Sequence, residues 1–292
     1  MKDKFLRHLK FEKRVSENTI KSYDNDLSQF LTFSEKYENN RKLSSIDNKT
    51  IRAWIIELST KNLSNKSINR KIASIKSFFK FLIKRQIIKK NPSTLVKSLK
   101  AKQTLPLFLK EKDLVGLFKT INLSNTLDET RSDLILELLY GTGIRINELI
   151  NLKSKNLDLI RNEIKVLGKR NKERILPINQ NIVSKAKLYL NHKKRKSSKS
   201  EFVFLTDKGN KLYPMMVYRV VKKCLSSLIN SEKYNPHLLR HSFATHILNK
   251  GGDLNAIKDL LGHESLAATQ IYTHNSIEKL KETHKKSHPR AN

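Results

Sequence analysis

The chain has 292 residues, enough for two modest domains or one large one, each able to bury its own core. Its 59 Lys and Arg against 27 Asp and Glu give a formal charge of +32 spread along the whole sequence, which points to a polyanion, nucleic acid before membrane, as partner. One cysteine, Cys224, excludes an intrachain disulfide and a cysteine-based zinc site, and Met1 to Phe11 lacks the apolar run of a secretory leader. No stretch of 18 apolar residues occurs, so no membrane segment is expected and the cytoplasm is the expected compartment.

In chain order, the first hundred residues read as helices. Ile20, Tyr23, Leu27, Phe30 and Leu31 recur at helical spacing after a Ser16 cap. Ile51, Trp54, Ile55 and Leu58 do the same, as do Ile68, Ile72, Ile75, Phe79, Leu82 and Ile83. The last of these runs carries Lys66, Arg70, Lys71, Lys76, Lys80 and Lys84 off its apolar stripe, a face suited to tracking a phosphate backbone or simply to water. The Lys89-Lys90-Asn91-Pro92 stop and the basic, aperiodic segment Leu99 to Pro106 read as a linker. The expected division is a helical domain over 1–98, a linker over 99–106 and a second domain over 107–292.

Beyond the linker, 110–121 and 132–140 are helical, while 163–167 and 174–178 are β-like around a polar turn. Phe202 to Leu205 reads as a third strand before the Asp207 to Asn210 turn. The run Lys193 to Lys199 reads as a solvated basic loop. Further helices are expected from Pro214, from Pro236 with Asn235 as cap, after Asp253 and after Ser265, punctuated by Gly251, Gly252 and Gly262. The expected fold is therefore mainly α, with a small antiparallel sheet in the second domain.

A basic protein that breaks a phosphodiester has two broad routes. The acidic residues are too scattered to gather around magnesium, and the His237/His241 pair lacks the glutamate of a metalloprotease helix, so no metal is expected. The other route needs a nucleophile, fixed positive charge for the developing phosphorane and a proton donor for the leaving alkoxide. His237 and Arg240 share one face near a helix start, where an anion binds well; a core histidine beside a surface arginine has the same spacing. Arg145 follows the Gly141-Thr142-Gly143 turn, Lys169 sits in the turn between two strands, and His263 follows Gly262. Tyr272 lies nine residues further on in a helical pattern that would equally suit a core tyrosine.

Taken together, TGIRINEL around Arg145, GKRNKER around Lys169, HLLRHSFATH from His237, LLGH ending at His263 and TQIYTH around Tyr272 resemble the tyrosine recombinase family, in order and in spacing. The resemblance runs from about Leu107 to the C-terminus, and the helical first domain is similar to that family's SAM-like core-binding domain. The Xer recombinases, which resolve chromosome dimers, are the nearest members, and SHPRA at Ser287 to Ala291 is like their tail. Two departures stand out: Arg170 replaces a common glycine, with Asn171 able to take the left-handed turn instead, and Ala267 and Ala268 replace small hydroxyl residues.

The resemblance implies a two-domain clamp on double-stranded DNA that needs no cofactor, metal or ATP. Arg145 and Arg240 would hold the scissile phosphate, Lys169 would protonate the 5′-hydroxyl leaving group, His237 would assist proton transfer and His263 would bond a non-bridging oxygen. Tyr272 would attack to form a 3′-phosphotyrosyl link. The implied assembly is a tetramer on two DNA sites, of this chain alone or with a related recombinase. The segment Ile277 to Lys285 would dock on a neighbour, and a DNA translocase would be a possible activator. A mobile-element integrase and a type IB topoisomerase share this chemistry, although no arm-binding domain is expected ahead of Phe5. A non-catalytic DNA-binding protein would account for the charge but not for the residue set.

Overall fold

Capping residues and apolar spacing in the first hundred residues fix a bundle of helices. The computed structural model describes residues 1–39, 43–100, 108–120, 126–168, 172–195, 200–226 and 235–262. The chain divides into two units, Met1–Thr104 and Leu105–Asn292.

In the first unit, α1 (Lys2–Arg7) runs into a π-helical turn at His8–Glu12, followed by α2 (Glu17–Glu38), α3 (Asn48–Thr60) and α4 (Asn65–Lys84). The Ser16 hydroxyl accepts from the Thr19 N–H, Asp47 and Thr50 form a reciprocal cap, and Ser64 accepts from the Ser67 N–H. The predicted stripes close on one another: Leu27, Phe30, Trp54, Ile68, Ile75 and Phe79 form the core.

One expectation here is corrected. Lys71 does not stand on a basic outer face; it is buried, donating to Asp26 at 3.0 Å and to Gln29 at 2.6 Å. Asp26 is itself fully buried and also takes both ends of the Arg70 guanidinium and the Ser74 hydroxyl. A carboxylate this deep needs several donors, and Lys71 lies closer to the α2 side of α4 than its hydrophilic character suggests. Lys66, Lys80 and Lys84 remain exposed on α4.

The second unit contains α5 (Glu111–Thr120), α6 (Leu127–Thr142), α7 (Ile146–Ile150), the strands β1 (Leu157–Asp158), β2 (Glu163–Leu167) and β3 (Glu173–Pro177), and α8 (Gln180–Arg195), α9 (Pro214–Leu225), α10 (Pro236–Asn249) and α11 (Leu254–Leu261). From Thr130 onward helix α6 is buried around almost its whole circumference and packs against α8 and α10, which is why it lacks an exposed polar stripe there. Leu134, Leu138, Ile182, Tyr189, Phe204, Leu239, Phe243 and Ile257 belong to the core around it. Helix α8 extends through Arg195 and its Lys193 is buried, donating to the Phe202 carbonyl, so the predicted basic loop is helical there.

The sheet is antiparallel in the order β1-β2-β3. Its third strand is not Phe202–Leu205, which makes only single bridges, Phe202 to Lys153 and Leu205 to Lys211. Val203 and Phe204 are both fully buried, so the segment is core filler rather than one face of a sheet. The two-residue β1 is too short to leave a periodic signal. Ile164 pairs with Leu176 and Val166 with Arg174, and all four side chains face the core. Among the described residues, no helix is long and apolar enough to cross a membrane.

Candidate active site

Two glycine corners bring the site together. Helix α6 ends at Gly143 with φ +62°, where an added Cβ would lie 2.6 Å from the Phe243 ring on α10. That close approach sets the residue after next, Arg145, at the N-cap of α7 and beside α10. There Glu148 closes the cap: its carboxylate accepts the Arg145 backbone N–H at 2.9 Å and the Arg145 guanidinium at 3.0 Å. Helix α11 ends at Gly262, also with φ +62°.

Helix α10 is started by Asn235, whose side chain accepts from the Leu238 N–H, with Pro236 next. His237 and Arg240 follow within one turn. Arg240 is buried, with its guanidinium donating to the carbonyls of Gly143 and, at 2.5 Å, Leu261. Arg145 donates to the next carbonyl, Gly262, at 2.6 Å. The two arginines predicted from the sequence therefore converge on successive carbonyls at the C-terminal end of α11, one residue before His263. His237 lies beside them with its residue exposed.

This convergence is electrostatically costly. Burial, with the positive charges of Arg145 and Arg174 beside it, lowers the Arg240 pKa to about 9, still protonated at neutral pH. Desolvation of the His237 ring, then the charges of Arg240 and Arg145, lower its pKa below the usual imidazole value, so at neutral pH the ring is uncharged and able to accept a proton. Lys169, His263 and Tyr272 lie outside the described residues, as do Arg170, Asn171, Ala267 and Ala268. The described edges of the first of these segments are joined, the Gly168 N–H donating to the Lys172 carbonyl at 2.7 Å.

Two further residues escaped the sequence reading. Glu148 is buried between Arg145 and Arg174; burial raises its pKa, but the bonds and charge of Arg174 and of Arg145 outweigh that and hold it below the ordinary carboxylate value. Arg174 grips both Glu148 oxygens at 2.6 and 2.8 Å and donates through Nε to the Leu260 carbonyl at 2.9 Å. Alternation along β3 was the available signal, since it puts Arg174 on the inward face with Leu176. For Glu148 the signal was its place three residues after an arginine that starts a helix. Three guanidinium groups thus face one carboxylate among the described residues, an excess of positive charge suited to an anion.

The sequence matches the Phage integrase family over residues 108–279 and the Phage integrase, N-terminal SAM-like domain over residues 3–86. It is similar to a tyrosine recombinase XerC of Thermodesulfovibrio yellowstonii, 38% identical with 98% of this chain and 95% of that protein covered. A tyrosine recombinase XerC of Chlorobaculum parvum is 34% identical, with coverage of 98% and 94%. Among solved structures, the XerH site-specific recombinase bound to palindromic difH substrate, a post-cleavage complex, shares the fold with a TM-score of 0.72, 23% identity and coverage of 97% and 94%.

Proposed function

The chain belongs to the phage integrase family and is a Xer-type site-specific tyrosine recombinase that cuts and rejoins DNA strands; from that premise we propose that Tyr272 is its nucleophile and that Arg145, Lys169, His237, Arg240 and His263 complete the phosphate site. The observation that carries this reading is the meeting of Arg145 and Arg240 at the C-terminal end of α11, with their charges incompletely neutralised. A scissile phosphate supplies the missing negative charge, and it gains more of it as the phosphorane forms.

In the proposed reaction the Tyr272 oxygen attacks phosphorus while the bond to the 5′-oxygen breaks. Free tyrosine has a pKa of about 10, so its proton must be drawn off during the attack, and neutral His237 suits that task. Arg145 and Arg240 clamp the non-bridging oxygens, with His263 bonding to one of them. Lys169 delivers a proton to the departing 5′-oxygen. The diester's energy is kept in the 3′-phosphotyrosyl link, and the 5′-hydroxyl of another strand reverses the step and completes the exchange.

The unit Met1–Thr104 serves as the core-binding domain and the unit from Leu105 as the catalytic domain, both engaging double-stranded DNA. Four protomers, identical or paired with a related recombinase, act on two sites, and chromosome dimer resolution in the cytoplasm is the biological outcome. Incubation with a nicked duplex carrying a candidate recombination site, in EDTA, should leave a protein-DNA adduct after denaturation with the wild type and none with Tyr272→Phe. Adduct from both proteins would remove Tyr272 from the role. A 5′-phosphorothiolate, whose leaving group needs little protonation, should restore cleavage to Lys169→Ala.

A further inference from the structure

Arg174 is only 6% exposed, yet it is bonded toward both arginine-bearing corners of the site. Its fork holds both oxygens of Glu148, which in turn fixes the Arg145 backbone and guanidinium at 2.9 and 3.0 Å. Its Nε–H holds the Leu260 carbonyl, the first of three successive carbonyls that Arg174, Arg240 and Arg145 take in turn. The fit around it is close. A Cβ on Gly262 would stand 3.3 Å from the Arg174 guanidinium and 3.2 Å from that of Arg145, and one on Gly168 would also stand 3.3 Å from Arg174.

We propose that Arg174 is a positioning residue of the recombination reaction. It does not touch DNA; it sets Glu148, and through Glu148 the angle at which Arg145 meets the phosphate, while pinning the α11 terminus from which the chain continues to His263. The planar fork is essential to this task. Two parallel bonds to one carboxylate fix direction as well as distance, whereas a lysine supplies a point charge that fixes neither. The burial of Arg174 and the engagement of its Nε and both terminal nitrogens by protein acceptors separate it from Arg145, which retains 30% side-chain exposure. The inference rests on the phosphate-clamp reading of Arg145 and Arg240 given above.

The test separates binding from chemistry, using the full chain and a nicked duplex site. Arg174→Lys keeps the buried charge but loses the fork. It should bind the duplex within about threefold of wild type, yet form the covalent adduct about 100-fold more slowly at saturating protein, the scale expected for a misplacement of about 1 Å. Glu148→Gln should slow the step by a similar factor, and the double variant should be no slower than either single one, because the two residues act as one unit. Wild-type adduct rate in Arg174→Lys, additive losses in the double variant, or a rate loss matched by an equal loss of binding would each overturn the proposal. The neutral pair Glu148→Gln/Arg174→Gln removes one buried charge of each sign, leaving the net charge of the cluster unchanged, and covers the case in which Arg174→Lys does not fold. It too should cleave slowly while binding normally, and wild-type cleavage by this pair would likewise overturn the role. Failure of the underlying reading looks different, since wild type itself would then form no adduct that depends on Tyr272.

Discussion

His246 lies on α10 six residues beyond Arg240, buried, and both of its ring nitrogens are engaged. Nε2 meets the Leu109 carbonyl at 2.8 Å, which can only accept, so Nε2 carries the proton and Nδ1 is left to accept from the Tyr140 hydroxyl at 3.0 Å. Ser242 completes the clamp by accepting the Leu109 N–H at 2.8 Å, so Leu109 is tied to the helix that carries His237 and Arg240. Burial holds the His246 pKa below its ordinary value. An unfolded histidine titrates near about 6.5, so the unfolded chain binds the proton first as pH falls. The stability due to the neutral ring is therefore complete above that value and is lost as pH drops through the lower, folded one. Thermal unfolding followed from about pH 7.5 to about pH 5.5 should show a fall in Tm that is smaller in His246→Gln than in wild type. An equal fall in the two proteins would remove His246 as the cause.

The element on which the site depends is the last turn of α11. The final carbonyls of any helix lack intrahelical partners and carry the negative end of its dipole. Here the carbonyls of Leu260, Leu261 and Gly262 are taken by Arg174, Arg240 and Arg145, which come from a strand, a helix start and a helix cap distant in sequence. The arrangement satisfies the helix and orients the arginines with the same bonds. Gly262 makes it possible, because its φ of +62° is unfavourable with a side chain and an added Cβ would press on two of the guanidinium groups. Gly262→Ala should cost about 1 kcal/mol from backbone strain, read as a lowered denaturation midpoint. Adduct formation should fall by about tenfold or more, since the arginines must move. A variant that is destabilised but cleaves at full rate would show that the carbonyls and the phosphate site are independent.

At the scale of the whole molecule, the formal charge of +32 makes affinity for DNA a matter of counterion release. Not every lysine on a helix shares in it. Lys80 is exposed on α4, whereas Lys71 on the same helix is spent on Asp26 inside the bundle. Lys80→Ala should lower affinity for any DNA sequence and reduce the slope of log K against log salt by about 1, as for a lost phosphate contact. Lys71→Ala should leave that slope unchanged and instead lower Tm, because the buried Asp26 loses one of its cationic partners. Binding titrations at several salt concentrations, beside thermal melts, check both. A slope change with Lys71→Ala would mean that the buried lysine reaches DNA after all.

The amino-acid order alone determined the helical bundle, the position of most caps and the mixed second unit, because apolar spacing and capping chemistry act over a few residues and are written locally. It also made Arg145 and Arg240 legible as a pair, through motifs whose meaning lies in their joint order. What it left out is long-range. Nothing near Lys71 announces that Asp26, 45 residues earlier, will draw it inward. Phe202 to Leu205 carries a strand-like composition, and only the packing of Val203 and Phe204 into the core made it something else. Glu148 and Arg174 read as ordinary charges until the chain brought them together across 26 residues, with the α11 terminus 86 residues further on closing the cluster. A buried charge survives only where partners meet it in three dimensions, so the tertiary structure decided which arginines meet at the end of α11 and which of them is buried against Glu148.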